Sequence, residues 1–136
     1  IWKALAHMAL GLKSLHDHKI LHRDLKCANV FIANGIYKLG DLNVSKVLKK
    51  EMAQTQTGTP YYASPEVWKD KPYGAKSDIW ALGCVIYEMA ALRPPFVATD
   101  LQGLYKKVCA GMFERIPAVC SNDLANIVSA LLKVDP

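Results

Sequence analysis

Ile1, Leu5, Met8, Leu12 and Leu15 recur at the spacing of one helix face, with Lys3, His7, Lys13 and Ser14 between them. The pattern predicts an amphipathic helix that ends near Asp17. A short polar stretch, Ile20 to Asn29, then interrupts the periodicity. Two β-prone runs follow, Val30-Phe31-Ile32-Ala33 and Ile36-Tyr37-Lys38-Leu39-Gly40, with Asn34-Gly35 between them. Asn-Gly tolerates the left-handed backbone that a two-residue turn demands. It predicts a hairpin in which Ala33 pairs with Ile36 and Val30 with Leu39. From Asp41 to Pro72 the chain loses periodicity and reads as loop, rich in Thr, Gly, Pro, Ser and Lys. A compact domain rarely carries so long a loop without a functional reason.

The run from Ile79 to Leu92 is apolar nearly all round, with Glu88 its single charge. Such a helix is buried on every side, as a central pillar. Ser77 or Asp78 is its predicted cap, and Arg93-Pro94-Pro95 its stop. Leu101, Leu104, Tyr105, Val108 and Met112 mark a surface helix. Leu124, Ile127, Val128, Leu131 and Leu132 mark another, which starts at Ser121-Asn122. There is no internal repeat and no low-complexity tract. The expected class is mainly α with one small β-hairpin.

Composition narrows the function classes. The 136 residues amount to about one domain, 51% apolar and 21% charged, which excludes a disordered tail or a collagen-like chain. The longest apolar run, Ile79 to Tyr87, stops at Glu88, well short of the roughly 20 residues of a membrane span. Cys27, Cys84, Cys109 and Cys120 form no CxxC pair, so reduced thiols are expected and a zinc site or disulfide framework is not. Seventeen basic against twelve acidic residues give +5, but the lysines are scattered. No nucleic-acid partner is expected from such a distribution. The chain opens at Ile1 inside a helical pattern and ends at Asp135-Pro136. It reads as part of a longer protein, so the lack of a signal peptide carries no meaning.

The hairpin register places Asn29 beside Asp41 at the open end. An amide oxygen and a carboxylate are hard ligands suited to Mg²⁺. Asp24 lies five residues before Asn29, and Lys26 can reach a phosphate from the same approach. A carboxylate base, a metal pair and a cation at one mouth suit phosphoryl transfer. Mg²⁺ neutralises developing charge there, while Asp24 orients an attacking hydroxyl and accepts its proton.

His22-Arg23-Asp24-Leu25-Lys26-Cys27-Ala28-Asn29 resembles the protein-kinase catalytic loop, HRDLxxxN. Asp41-Leu42-Asn43 stands where kinases carry DFG, and Ser64-Pro65-Glu66 where they carry APE. Asp78-Ile79-Trp80-Ala81-Leu82-Gly83 resembles the start of the central helix of the kinase C-lobe. Lys26, with Gly58-Thr59-Pro60-Tyr61-Tyr62, is similar to the serine/threonine class. LHRDLKCANVFI, KLGDLNVSKVL, GTPYYASPEVW, SDIWALGCVIYEMAALRPPF and LYKKVCAGMFERIP together resemble the NIMA-related kinases.

The resemblance implies a partial kinase domain over 1–136, the C-terminal lobe of the kinase-like α+β fold without its N-lobe and final helix. It places the catalytic loop at 20–29 and the activation segment at 41–66. It implies ATP and Mg²⁺ as cofactors and serine or threonine hydroxyls of proteins as substrates. Asp24 is then the catalytic base and Lys26 steadies the transferred phosphoryl group. Asn29 and Asp41 hold the metal, and with Lys26 the nucleotide. Thr59 helps to order Asp24 and Lys26. Arg23 reads a phosphate on the activation segment, with Thr55 the primary site and Thr57 the second. His22 is a buried structural histidine. Glu66 pairs with an arginine beyond Pro136, so it is expected to lack that partner here. The resemblance further implies an intracellular, cytoplasmic protein with a cell-cycle or ciliary role and a cytoskeletal or ciliary association.

Two departures stand out. Leu42 replaces Phe as the apolar plug of DFG, and Asn43 replaces Gly, although Asn tolerates a left-handed backbone well. Ser64 replaces the first Ala of APE. The remaining residues take bland readings. His7, His16 and His18 are surface or helix-end residues. The sequon at Asn43-Val44-Ser45 has no meaning inside a cell. Lys46, Lys49 and Lys50 are a solvated loop face. Cys27 packs inertly, and Trp80, Cys84, Tyr87 and Met89 are core. The competing reading is a pseudokinase or scaffold lobe that acts by protein–protein binding; a Gly-rich loop and a VAIK-type lysine upstream of Ile1 discriminate the two, since the enzyme reading falls sharply if that lysine is missing. The 136 residues alone are expected to be inactive and poorly stable, with apolar faces left open.

Overall fold

The computed structural model describes residues 1–42 and 60–135. Helix α1 spans Trp2–Asp17, and a single 3₁₀ turn spans Cys27–Asn29. Strands β1 (Val30–Ala33) and β2 (Ile36–Leu39) follow. Then come α2 (Pro65–Trp68), α3 (Ala75–Ala91), α4 (Leu101–Ala110) and α5 (Asn122–Leu131). Mainly α with one hairpin is the class that the hydrophobic pattern predicts. None of the described helices is long and apolar enough to cross a membrane.

The hairpin has the predicted register, Ala33 opposite Ile36 and Val30 opposite Leu39. Asn34 and Gly35 carry φ of 52° and 71°. Those left-handed values let the turn match the strand twist. Helix α1 lies along β2 on one side and meets α3 on another. Its buried face is Ala4, Met8 and Leu12. Ile1 does not lead that face as its spacing predicts, for it is 40% exposed, and Leu5 and Leu15 are half-buried at the rim.

Helix α3 is the pillar. Ser77, Asp78 and the run from Trp80 to Tyr87 are all buried. Its start differs from the expectation. It begins at Ala75, capped by Gly74, whose N–H donates to the Ser77 hydroxyl at 3.2 Å. Asp78 is free to turn inward because the cap is made four residues earlier. Gly83 sets the approach of α5: a Cβ there would stand 2.9 Å from Leu131 Cβ and Leu132 Cδ2. Leu92 closes α3 in a left-handed conformation, φ 57°, ahead of the predicted Arg93-Pro94-Pro95 stop.

The supposed loop before Pro72 contains α2, which the sequence reading missed. Ser64 precedes it and Pro65 opens it, a first-turn proline with its φ already helical. Asp100 and Ser121 cap α4 and α5 by accepting the N–H of Gly103 (2.6 Å) and of Leu124 (3.2 Å). Trp80 stacks on Phe96 with centroids 5.4 Å apart, Phe96 meets Phe113 edge-on, and Phe113 meets Tyr87 edge-on. That aromatic chain fastens the segment after α3 to the pillar, as the core reading of Trp80, Cys84 and Tyr87 requires. Met89 packs half-buried against this core. All four cysteines are free thiols, as predicted.

Candidate active site at the hairpin mouth

The site hangs from one buried carboxylate. Asp78 is 0% exposed. A charge so placed is costly unless every lone pair is met. Oδ2 accepts the His22 backbone N–H at 2.9 Å and His16 Nε2 at 2.8 Å. Oδ1 accepts the Arg23 N–H at 3.0 Å and the Tyr73 hydroxyl at 2.5 Å. Burial and the Asp78 carboxylate push the Tyr73 hydroxyl well above the ordinary phenol range, so it remains a donor. Two consecutive backbone N–H groups of the loop after α1 are thereby pinned to the pillar. Arg23 is held at φ 67°, a conformation that costs a non-glycine residue energy unless its surroundings enforce it. His16 is a helix-end residue, in the last turn of α1, but it does not lie at the surface: its side chain is 19% exposed and its ring belongs to this cluster. His22 is wholly buried, as predicted.

Beyond Arg23 the chain turns outward and presents Asp24. Lys26 Nζ lies 3.2 and 3.0 Å from its two carboxylate oxygens. Asn29, itself buried, donates from Nδ2 to the Asp24 carbonyl at 2.7 Å and to Oδ2 at 3.1 Å. The Asp24 N–H meets His22 Nδ1 at 3.4 Å. The carboxylate is thus fixed from both ends of the loop yet keeps 25% of its side chain exposed. Leu25 faces the other way into the core.

The hairpin completes the constellation. The Gly40 N–H donates to the Asn29 carbonyl at 3.0 Å, which continues the ladder one pair past Leu39. Asp41 follows at once, with φ 56°. Asn29 and Asp41 therefore share the open end, as the register predicts. Asn29 spends its amide nitrogen on Asp24, which leaves its oxygen as the end able to serve a cation. One amide oxygen and one carboxylate fit Mg²⁺, which takes few protein ligands and completes its shell with phosphate oxygens and water. Among the described residues no three His, Cys, Asp or Glu side chains gather as a metal cage.

Several expectations change or fall outside the described residues. Thr55, Thr57, Thr59, Asn43 and the Lys46–Lys50 cluster lie outside them. Leu42, at the end of the described stretch, is 43% exposed. Glu66, expected to lack its arginine, accepts the Ser77 hydroxyl at 2.5 Å and ties α2 to the first turn of α3.

The structure also joins residues that the motifs do not single out together. The Tyr62 hydroxyl donates to Glu88 Oε2 at 2.6 Å. The Cys27 thiol faces the same pair, and burial and then the Glu88 carboxylate push it up to about 11. Glu88 was visible in the sequence as the single charge of an apolar helix. Its partners were not, since they come from two distant segments.

The sequence profile of the family described as the protein kinase domain matches residues 1–136. Serine/threonine-protein kinase Nek5 of Homo sapiens is 47% identical over 133 residues, 95% of this chain and 19% of the relative. Serine/threonine-protein kinase Nek3 of Mus musculus is 44% identical over 132 residues, 95% of this chain and 26% of the relative. Probable serine/threonine-protein kinase nek3 of Dictyostelium discoideum is 47% identical over 133 residues, 93% of this chain and 12% of the relative. The chain thus spans about a quarter or less of these relatives' length. With HRDLxxxN folded around a fixed carboxylate and matched from end to end, the chain belongs to the protein kinase family.

Proposed function

We propose that the protein of which this chain is part is a NIMA-related serine/threonine kinase that moves the γ-phosphoryl group of ATP to protein hydroxyls. One observation carries the reading. Asp24 is held by Lys26 and Asn29, and the Asn29 carbonyl in turn takes the N–H of Gly40, the residue before Asp41, which supports a base, a cation and two metal ligands at one mouth. Asp24 orients the substrate hydroxyl and takes its proton as the oxygen–phosphorus bond forms and ADP leaves. Lys26 shifts from Asp24 to the transferred group, whose charge it balances. Asn29 and Asp41 hold Mg²⁺, which when bound neutralises charge on the phosphates. Pinning of His22 and Arg23 by Asp78 fixes the base in advance, which is where catalytic advantage arises in a reaction with little covalent work for the protein.

Regulation follows the same reading. Arg23 receives the phosphate of phospho-Thr55, with phospho-Thr57 second, and Thr59 orders the base. The protein acts in the cytoplasm, with a cytoskeletal or ciliary association in a cell-cycle or ciliary role. The test is direct. Full-length protein, γ-labelled ATP, Mg²⁺ and a mixed protein substrate should yield label on phosphoserine and phosphothreonine, abolished by a chelator. Label on tyrosine, or none, would overturn the proposal in favour of a scaffold lobe.

A further inference from the structure

On the outer edge of β2 the Tyr37 N–H cannot be satisfied within the hairpin. Bonded pairs alternate along an antiparallel ladder. Ala33 and Ile36 close the turn, and Gly40 reaches back to Asn29. Tyr37 has the other parity, so its N–H points away from β1. A backbone donor so placed beside a helix requires an acceptor from outside the sheet. His7 supplies it: the Tyr37 N–H donates to His7 Nδ1 at 3.2 Å. The two rings also meet, centroids 6.2 Å apart at 52°. His7 is half-buried on the α1 face that lies along β2, not at the free surface. One turn earlier Lys3 reaches the hairpin turn, its Nζ 3.6 Å from where a Gly35 Cβ would stand.

We propose that His7 is a positioning residue for the metal-binding end of the site. Its imidazole must present an unprotonated Nδ1, and that atom clamps the outer edge of β2 to α1. Asp41 stands four residues after Tyr37 and two after the end of β2. The clamp therefore fixes where the Asp41 carboxylate lies relative to Asn29, which the Gly40 bond alone leaves free to hinge. This role rests on the kinase reading above, but the clamp itself does not.

The test uses two variants of the full-length protein. His7→Leu keeps the bulk against Tyr37 and removes the acceptor. His7→Asn places an amide oxygen near the position of Nδ1. Hydrogen exchange at Tyr37 reads the clamp, and the dissociation constant for Mg-ATP reads the site. His7→Leu should speed exchange at Tyr37 and weaken Mg-ATP by about fivefold each, the worth of one neutral hydrogen bond. His7→Asn should restore both. In turnover, KM for Mg-ATP should rise while kcat stays within about twofold, as for a group that places a ligand without touching the reacting atoms. Wild-type exchange in His7→Leu would overturn the clamp. Faster exchange with unchanged Mg-ATP affinity would make His7 merely structural and overturn the positioning role. A protein that binds Mg-ATP but transfers no phosphate would fail the functional proposal alone, while exchange and affinity would still decide this one.

Discussion

Replacing Asp78 by Asn isolates the anchor on which the site depends. The change keeps size and shape and removes the charge. In the native cluster each carboxylate oxygen takes two donors. An asparagine can offer one oxygen, so its NH₂ must face one of the two pairs. If it faces Tyr73 and Arg23, the hydroxyl can rotate and accept, but the Arg23 N–H cannot. If it faces His16 and His22, the ring can change tautomer, but the His22 N–H cannot. Either way one backbone N–H is stranded, a cost of about 1–3 kcal/mol. The bonds that remain also lose their charge assistance. A total near 3 kcal/mol follows, at the lower edge of what breaking a buried ion pair costs. With a urea m-value of about 2 kcal/mol/M, the midpoint of the full kinase domain should fall by roughly 1.5 M at unchanged m. Tyr73→Phe removes one donor and strands nothing, so about 1 kcal/mol is expected. Because Arg23 at φ 67° relies on the same carboxylate, Asp78→Asn should also lower kcat. A midpoint within about 0.3 M of wild type, or equal losses in the two variants, would refute the reasoning.

Three smaller outcomes follow from local geometry. Leu92 sits at φ 57° with 88% of its surface exposed, so Leu92→Gly relieves a left-handed side chain without losing contacts and should raise stability by about 0.5–1 kcal/mol in thermal unfolding. The Ser64 hydroxyl is buried and meets no partner among the described residues, so Ser64→Ala should stabilise by about 1 kcal/mol in the same assay. With its thiol pushed up to about 11, Cys27 is roughly one part in a thousand thiolate at pH 8; alkylation read by mass spectrometry should be slower than that of glutathione and should quicken with each step upward in pH.

The hairpin and its mouth were legible in the sequence because local rules determine them. Asn34-Gly35 sets the turn, the turn sets the register, and the register brings Asn29 to Asp41. Helices α4 and α5 were legible from local pattern too, through the spacing of Leu101, Leu104 and Val108 and of Leu124, Ile127 and Val128, with Ser121 marking the start of α5. The start of α3 was misplaced because Ser77 and Asp78 look like caps in one dimension. Both are buried and bond to segments far along the chain, Ser77 to Glu66 and Asp78 to His16, His22 and Arg23. Helix α2 is too short to show periodicity, and only its opening proline hinted at it. His7 and His16 read as surface or helix-end residues, and the inward contacts of both went unseen because their partners, Tyr37 and Asp78, lie 30 and 62 positions away. Short-range pattern revealed the elements and the motif. Burial and long-range polar satisfaction decided how firmly the motif is held.

The central claim is that Asp24, fixed by Lys26 and Asn29, is the base that makes a substrate hydroxyl a nucleophile. Single-turnover phosphoryl transfer by full-length Asp24→Asn, with circular dichroism and Mg-ATP affinity as controls, tests it most directly. The account predicts native spectra, Mg-ATP affinity within about threefold of wild type and a rate lowered by about 10²–10⁴, the range of general-base catalysis. A folded Asp24→Asn protein that binds Mg-ATP and transfers phosphate at the wild-type rate would contradict it.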